Sequence, residues 1–174
     1  LNPLSLYGDT KTKAETYIMN NSKAIAYRFA TAFGLSPRLR LDLLVNDFTH
    51  KAMMDRYIVV YESHFMRTFI HVYDIARSFM FALDRSDEMV GNVYNIGSDH
   101  MNYSKKDVCE KIQSVIPYFL HLADIGEDAD KRDYVVSYDK INRLGFNTTI
   151  TLDQGIQELV NGISAIKHYN PYMN

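Results

Sequence analysis

Two residues near the start have the types and spacing for proton transfer: Tyr7 and Lys11, in LSLYGDTKTKAE. Four positions apart, they share one face of a helix, where each side chain meets the one a turn on. A free phenol ionises near pH ~10, too high for a base at neutral pH, and a cation within a few ångströms favours the phenolate. A tyrosine helped in this way can serve as a base. The stripe continues through Ala14 and Ile18, which belong on a face turned toward a core. Lysine on such a stripe has two readings. It is part of a site, or it snorkels its ammonium past the edge of a half-buried helix, because an unpartnered buried ammonium is costly. The pattern alone leaves both open.

The elements that must position this pair follow from caps, periodicity and punctuation. Ser5 caps a helix running to about Asn21. Ala24 to Ala30 (AIAYRFA) is too apolar and too short for a surface helix, and reads as a buried strand ending near Thr31. Gly34 and Pro37 mark a loop. Leu41 to Met54 reads as a helix with Leu41, Leu44, Val45, Phe48 and Ala52 on one face. Tyr57–Tyr61 is a strand, and Thr68–Val72 is a second extended piece leading into a helix from Tyr73 to Leu83. Asn92–Ile96 is another strand. Ser104 caps a helix with Val108, Ile112, Val115 and Ile116 inward, stopped by Pro117. Tyr134–Val136 reads as a short strand, Ser137 caps a helix ended by Gly145, and Thr151 or Asp153 starts the last helix. Residues 168–174 read as a frayed tail. Helices alternating with short apolar strands mean an α/β domain with parallel strands.

Composition excludes several classes. At 174 residues, 47% hydrophobic and 23% charged, the chain is ordinary for one globular domain. A net charge of −2 provides no basic field for nucleic acid. No run reaches the length of a membrane span, and no leader precedes a cleavage site. Cys109 is the only cysteine, which excludes a disulfide framework and fits the cytoplasm. His50, His64, His100 and His121 have no metal-ligand spacing and read as surface residues, so no metal is expected. None of the eight glycines forms a G-x-G-x-x-G turn or a G-x-x-x-x-G-K loop. Either the protein binds no dinucleotide, or the half that does so lies ahead of Leu1.

PLSLYGDTKTKAE resembles the catalytic helix of the extended short-chain dehydrogenases/reductases, specifically the NAD-dependent nucleotide-sugar epimerase/dehydratase family. RFATAFGLSP, RTFIHVYDIA, NVYNIGS, and YDKINRLGF followed by TLDQGI resemble further segments of that family, in its order and over nearly the whole chain. The implied fold is the C-terminal part of a Rossmann-like doubly wound parallel sheet plus the small substrate-binding lobe. In that family the lysine hydrogen-bonds the nicotinamide ribose and lowers the pKa of the tyrosine. The tyrosine takes the proton from a sugar hydroxyl, usually at C4, as hydride passes to NAD. Hydride returned to the opposite face gives epimerisation, and water lost before its return gives dehydration.

The resemblance implies roles residue by residue. Tyr7 and Lys11 are the catalytic pair and touch the cofactor, and Phe29 and Ala30 line the nicotinamide side. Thr31, Tyr61, Arg67 and Arg132 face a nucleotide-diphosphate sugar. A bidentate guanidinium at Arg67 suits a diphosphate, the alternative being a surface ion pair. Thr31 stands where many members carry Asn. Tyr61 stacks on the base or is a core or edge aromatic, and Arg132 reaches the diphosphate. His71 and Asp74 belong to a motif that holds the strand–helix turn.

Two departures qualify the match. Glu62-Ser63-His64-Phe65-Met66 replaces a segment that often contains Gly, so nucleotide preference does not carry over. The family's nucleotide-binding half precedes the tyrosine, whereas this chain starts six residues before Tyr7. The expectation is a single truncated domain over 1–174. Its catalytic helix and following strand span 1–35, and the rest of the sheet and the substrate lobe span 36–174. The parent would be an NAD-dependent epimerase or dehydratase, and the fragment alone would be inactive and without bound NAD. The alternative is a folded remnant that binds nucleotide sugar weakly or only self-associates. Half a sheet exposes a strand edge and apolar faces, so a homo-oligomer is expected.

Overall fold

The Ser5 hydroxyl accepts the Gly8 N–H at 3.1 Å and starts α1, which runs Leu6–Asn21. The computed structural model describes residues 5–124, 126 and 132–165; the Leu1-Asn2-Pro3 start and the tail at 168–174 lie outside the described residues. After α1 come β1 (Ala26–Phe29), β2 (Thr31–Phe33), α2 (Leu44–Met54), β3 (Tyr57–Tyr61), β4 (Met66–His71), α3 (Val72–Asp84) and α4 (Ser86–Met89). Then follow β5 (Val93–Ile96), β6 (Asn102–Ser104), α5 (Lys105–Val115), β7 (Phe119–Ala123), α6 (Asp139–Asn142) and α7 (Leu152–Ala165). None of the described helices is long and apolar enough to cross a membrane.

The fold is α/β. β1 pairs in parallel with β5, β2 with β4, and β3 with β7. β6 joins β4 antiparallel, opposing Arg67 to Tyr103. The expected single strand through Ala30 is two strands. Ala30 donates its N–H to the Ile96 carbonyl at 3.0 Å, and the chain then changes partner to β4. Alternation along β4 feeds two cores, because successive side chains leave opposite faces. Phe69 enters one with Phe33, Val45, Ile112 and Ile156. Ile70 enters the other with Ile96, Tyr138 and Ile141.

Three further expectations need correction. Leu41 is buried, but α2 starts only at Leu44. The buried Asn46 side chain holds the preceding loop, accepting from the Gly34 N–H and donating to the Arg40 carbonyl, both at 3.0 Å. Tyr134–Val136 is not a strand. It is held by one backbone bond to Met66 and by the Asn102 side chain, which bonds the Val136 N–H and carbonyl. His50 is 6% exposed on α2, not a surface residue.

The stripe on α1 is also unlike its expectation. Ala14 and Ile18 are exposed, and no side chain of α1 is buried. The helix is held from its other side, where Arg28 on β1 makes a fork to Glu15 at 2.8 and 2.6 Å. The hydrogen-bonded Arg28 guanidinium holds the Glu15 carboxyl below its usual 4.5, against the opposing effect of burial. A lowered folded pKa stabilises the fold above the unfolded value, and this contribution is lost as pH falls through the folded value. Glu15→Gln is therefore expected to flatten part of the acid limb of the melting temperature below about pH 4.5, with the neutral-to-acid loss smaller than in the parent chain. An unchanged acid limb would remove this pair from the account.

At the other end of β4, His71 caps α3 by accepting the Tyr73 N–H on Nδ1 at 3.2 Å, while Nε2 lies 2.7 Å from a Glu158 carboxylate oxygen on α7. Gly34, at φ +118°, leaves room for this imidazole, which a Cβ there would overlap. One turn on, the fully buried Asp74 carboxylate accepts from the Thr149 N–H and hydroxyl, the Ile150 N–H and the Arg77 guanidinium, at 2.6–3.1 Å. These contacts tie the first turn of α3 to the approach to α7.

Candidate active site

Thr31 opens β2, and Arg67 lies on its neighbour β4; both line a cavity of about 280 Å³, which Arg132 also borders. Three of the four residues expected to face the substrate thus converge. Arg67 is 3% exposed and donates to the Met66 carbonyl at 2.9 Å, so a surface ion pair does not describe it. Phe48 and Phe69 form part of an apolar wall.

The same cavity is lined by Asp42 and Asp47, which the sequence reading missed. Each holds a cation. Asp42 grips Arg40 with both oxygens, and Asp47 binds Lys51 at 2.7 Å. The Asp47–Lys51 spacing of four on α2 was a usable signal; the Arg40–Asp42 fork depends on the conformation of the loop. The Asp42 hydrogen bond and charge hold the Arg40 guanidinium above its usual range.

On α1, the Lys11 ammonium sits 5.4 Å from the centroid of the Tyr7 ring, and Tyr7 is 72% exposed. The helical spacing brings phenol and ammonium together as expected. The stripe beneath them is open, so Lys11 is not skirting a buried face here.

The remaining expected residues lie apart from the cavity wall. Phe29, 38% exposed, packs against Tyr27 and Phe79 with ring centroids 5.6 and 5.7 Å away. Ala30 is buried in the core, and its N–H is already bonded, leaving its carbonyl as the polar group it offers. Tyr61 ends β3 with its ring against Gly126, and its carbonyl receives the Lys105 ammonium at 2.6 Å. Lys105 is 1% exposed and packs over the Phe65 ring. A lysine beginning an amphipathic helix reads as solvated, so nothing local announced this buried cation, which ties α5 to the end of β3.

Comparison with known proteins now decides the family. The model of the NAD dependent epimerase/dehydratase family matches residues 1–97. The chain belongs to this family. Among solved structures, it is similar to the dTDP-glucose 4,6-dehydratase of Bacillus anthracis in complex with NAD, at 23% identity and a TM-score of 0.79, over 95% of this chain and 54% of that one. It is also similar to the UDP-glucose 4-epimerase of Thermotoga maritima with UDP-glucose, at 20% identity and a TM-score of 0.80, over 94% and 55%. A UDP-glucuronic acid 4-epimerase of Bacillus cereus, in complex with UDP-glucuronic acid and NAD, matches at 22% identity and a TM-score of 0.77, over 94% and 54%. These likenesses show the Rossmann-like α/β fold of such enzymes. The family member described here spans about half the length of those structures.

Its residues fit one end of the family's cofactor. The exposed Tyr7–Lys11 pair suits a nicotinamide ribose, with an ammonium to donate and an open face to receive it. The pyrophosphate end needs a glycine-rich turn at a helix N-terminus. This sequence has none.

Proposed function

We propose that this chain carries the catalytic helix and substrate lobe of an NAD-dependent nucleotide-sugar epimerase or dehydratase, with the catalytic helix and strand in 1–35 and the rest in 36–174. The observation that carries this reading is the convergence of Thr31, Arg67 and Arg132 on one cavity. Arg67 and Arg132 bind the diphosphate, where guanidinium forks match phosphate oxygens. Thr31 offers its hydroxyl to the same ligand, and Phe29 and the Ala30 carbonyl lie on the cofactor side. Tyr7 Oη takes the proton of a sugar hydroxyl, and Lys11 supplies the positive neighbour that a phenolate needs. NAD, when bound, accepts the hydride from the same carbon. Without a segment that cradles the cofactor's phosphates, this chain on its own turns over negligibly.

A thermal-shift titration with NAD and with UDP-, GDP-, CDP- and dTDP-sugars tests the reading. One class of nucleotide sugar is expected to raise the melting temperature by roughly 5–10 °C at a hundred times its dissociation constant, with NAD alone giving no rise. Arg67→Lys keeps the charge but loses the fork, and is expected to remove most of that shift. If no nucleotide sugar stabilises the chain, the cavity is not the substrate site.

A further inference from the structure

Arg67 and Arg132 border one cavity but stand on unlike supports. Arg67 is buried on β4, opposite Tyr103 of β6. Arg132 is exposed, and the chain that follows it to Tyr138 is neither helix nor strand. Holding a guanidinium in one place on irregular chain costs conformational entropy that other contacts must offset. Those contacts gather on the two residues that flank Arg67. The Met66 N–H donates to Asp133 Oδ1 at 2.8 Å. The Met66 carbonyl accepts from the Arg67 guanidinium at 2.9 Å and from the Tyr134 N–H at 3.4 Å. On the other flank, the buried Thr68 and Tyr138 hydroxyls lie 2.5 Å apart. Between these ties, Asn102, which opposes Thr68, donates to the Val136 carbonyl at 3.1 Å and accepts the Val136 N–H at 3.2 Å. Met66 is thus the joint between the two arginines. One grips its carbonyl, and the chain neighbour of the other grips its N–H.

We infer, resting on the function proposed above, that Asp133 is a positioning residue for the diphosphate, fixing Arg132 relative to Arg67 through the Met66 amide. Two guanidiniums hold one diphosphate together only when their separation matches its oxygens, and partners already in place lose less freedom on binding. Asp133 is the tie nearest Arg132, and its carboxylate makes the stronger, charge-assisted kind of bond. The Tyr134 bond is long, and the Asn102 and Tyr138 ties lie farther along the chain. By charge alone, a carboxylate next to Arg132 opposes an anionic ligand. Position and charge therefore predict opposite results when Asp133 is changed.

Titration calorimetry of this chain with UDP, GDP, CDP and dTDP, each beside its monophosphate, reads the effect. Asp133→Ala takes the acceptor from the Met66 N–H and is expected to weaken the diphosphate that binds about tenfold. Its monophosphate, which one guanidinium fork satisfies, is expected to change less than about twofold. Asp133→Asn keeps a carbonyl oxygen for the same N–H and is expected to stay within about threefold of the parent chain. In an Arg132→Ala background, Asp133→Ala is expected to change affinity no further, since its effect runs through Arg132. Asp133 is exposed, so neither substitution opens the core. Equal losses for diphosphate and monophosphate, additive effects in the double variant, or tighter binding in both Asp133 variants overturns the inference. If a diphosphate binds and Asp133→Ala leaves its affinity unchanged, the inference falls while the proposed function stands. If no nucleotide binds the parent chain, both fall.

Discussion

Changing Tyr7 to Phe is expected to lower turnover about a thousandfold in a chain that also carries a cofactor-binding half ahead of Leu1. Proton transfer by a positioned side chain contributes roughly 10²–10⁴ in rate, and the hydride step stalls when the hydroxyl keeps its proton. The substitution removes one oxygen and little else. Tyr7 is 72% exposed, so no core contact is lost, and the ring that lies beside the Lys11 ammonium remains. Melting temperature and nucleotide-sugar affinity should therefore match the unsubstituted protein, which separates a chemical role from a structural one. The measurement is kcat with whichever nucleotide sugar stabilises the chain. A kcat within threefold of the unsubstituted enzyme would remove Tyr7 from the chemistry. In this chain by itself, the same change should alter nothing measurable.

What the sequence made legible was chemistry that acts over a few residues. Ser5 and Ser104 cap as their side chains require, and Ser104 and Asp107 form a reciprocal capping box. Tyr7 and Lys11 meet because a helix turns every 3.6 residues. The convergence of Thr31, Arg67 and Arg132 came from motif order, which carries tertiary placement that no local rule supplies. What stayed hidden depends on pairing between distant segments. β6 is three polar residues, extended because they lie against Met66–Thr68. β7 follows Pro117 with a single turn of alternation, and gains strand character from five paired residues of β3. The open stripe on α1 reverses a sound periodicity argument. Apolar spacing tells which face wants cover, but the cover must be present in the folded chain for the face to be buried.

Asp74 shows the same division between local and distant chemistry in energetic form. From sequence it is an acidic residue in the first turn of a helix, worth about 0.3–1 kcal/mol against the helix dipole. In the structure it is fully buried and accepts from four donors, three of them about seventy-five residues away on Thr149 and Ile150. Removing one partner from a buried, charge-assisted set costs about 3–5 kcal/mol, because the donors left behind lose their bonds inside the protein. Two features favour the lower end. Arg77 is partly exposed and recovers water, and so does exposed Thr149. Asp74→Ala is therefore expected to cost about 3 kcal/mol, an equilibrium urea midpoint lower by about 1.5 M at a slope of about 2 kcal/mol/M. Asp74→Asn should fall between the two, since it keeps one carbonyl oxygen for the Thr149 and Ile150 amides but points an N–H₂ at the other donors. A loss below about 1 kcal/mol for the alanine variant would mean that the segment before α7 is held by its apolar neighbours alone. Two elements join this knot to the cavity: β4, which carries the cavity residues Arg67 and Phe69 and leads at His71 directly into α3, and α7, which follows Thr149 and Ile150 and packs on the cavity-lining α2.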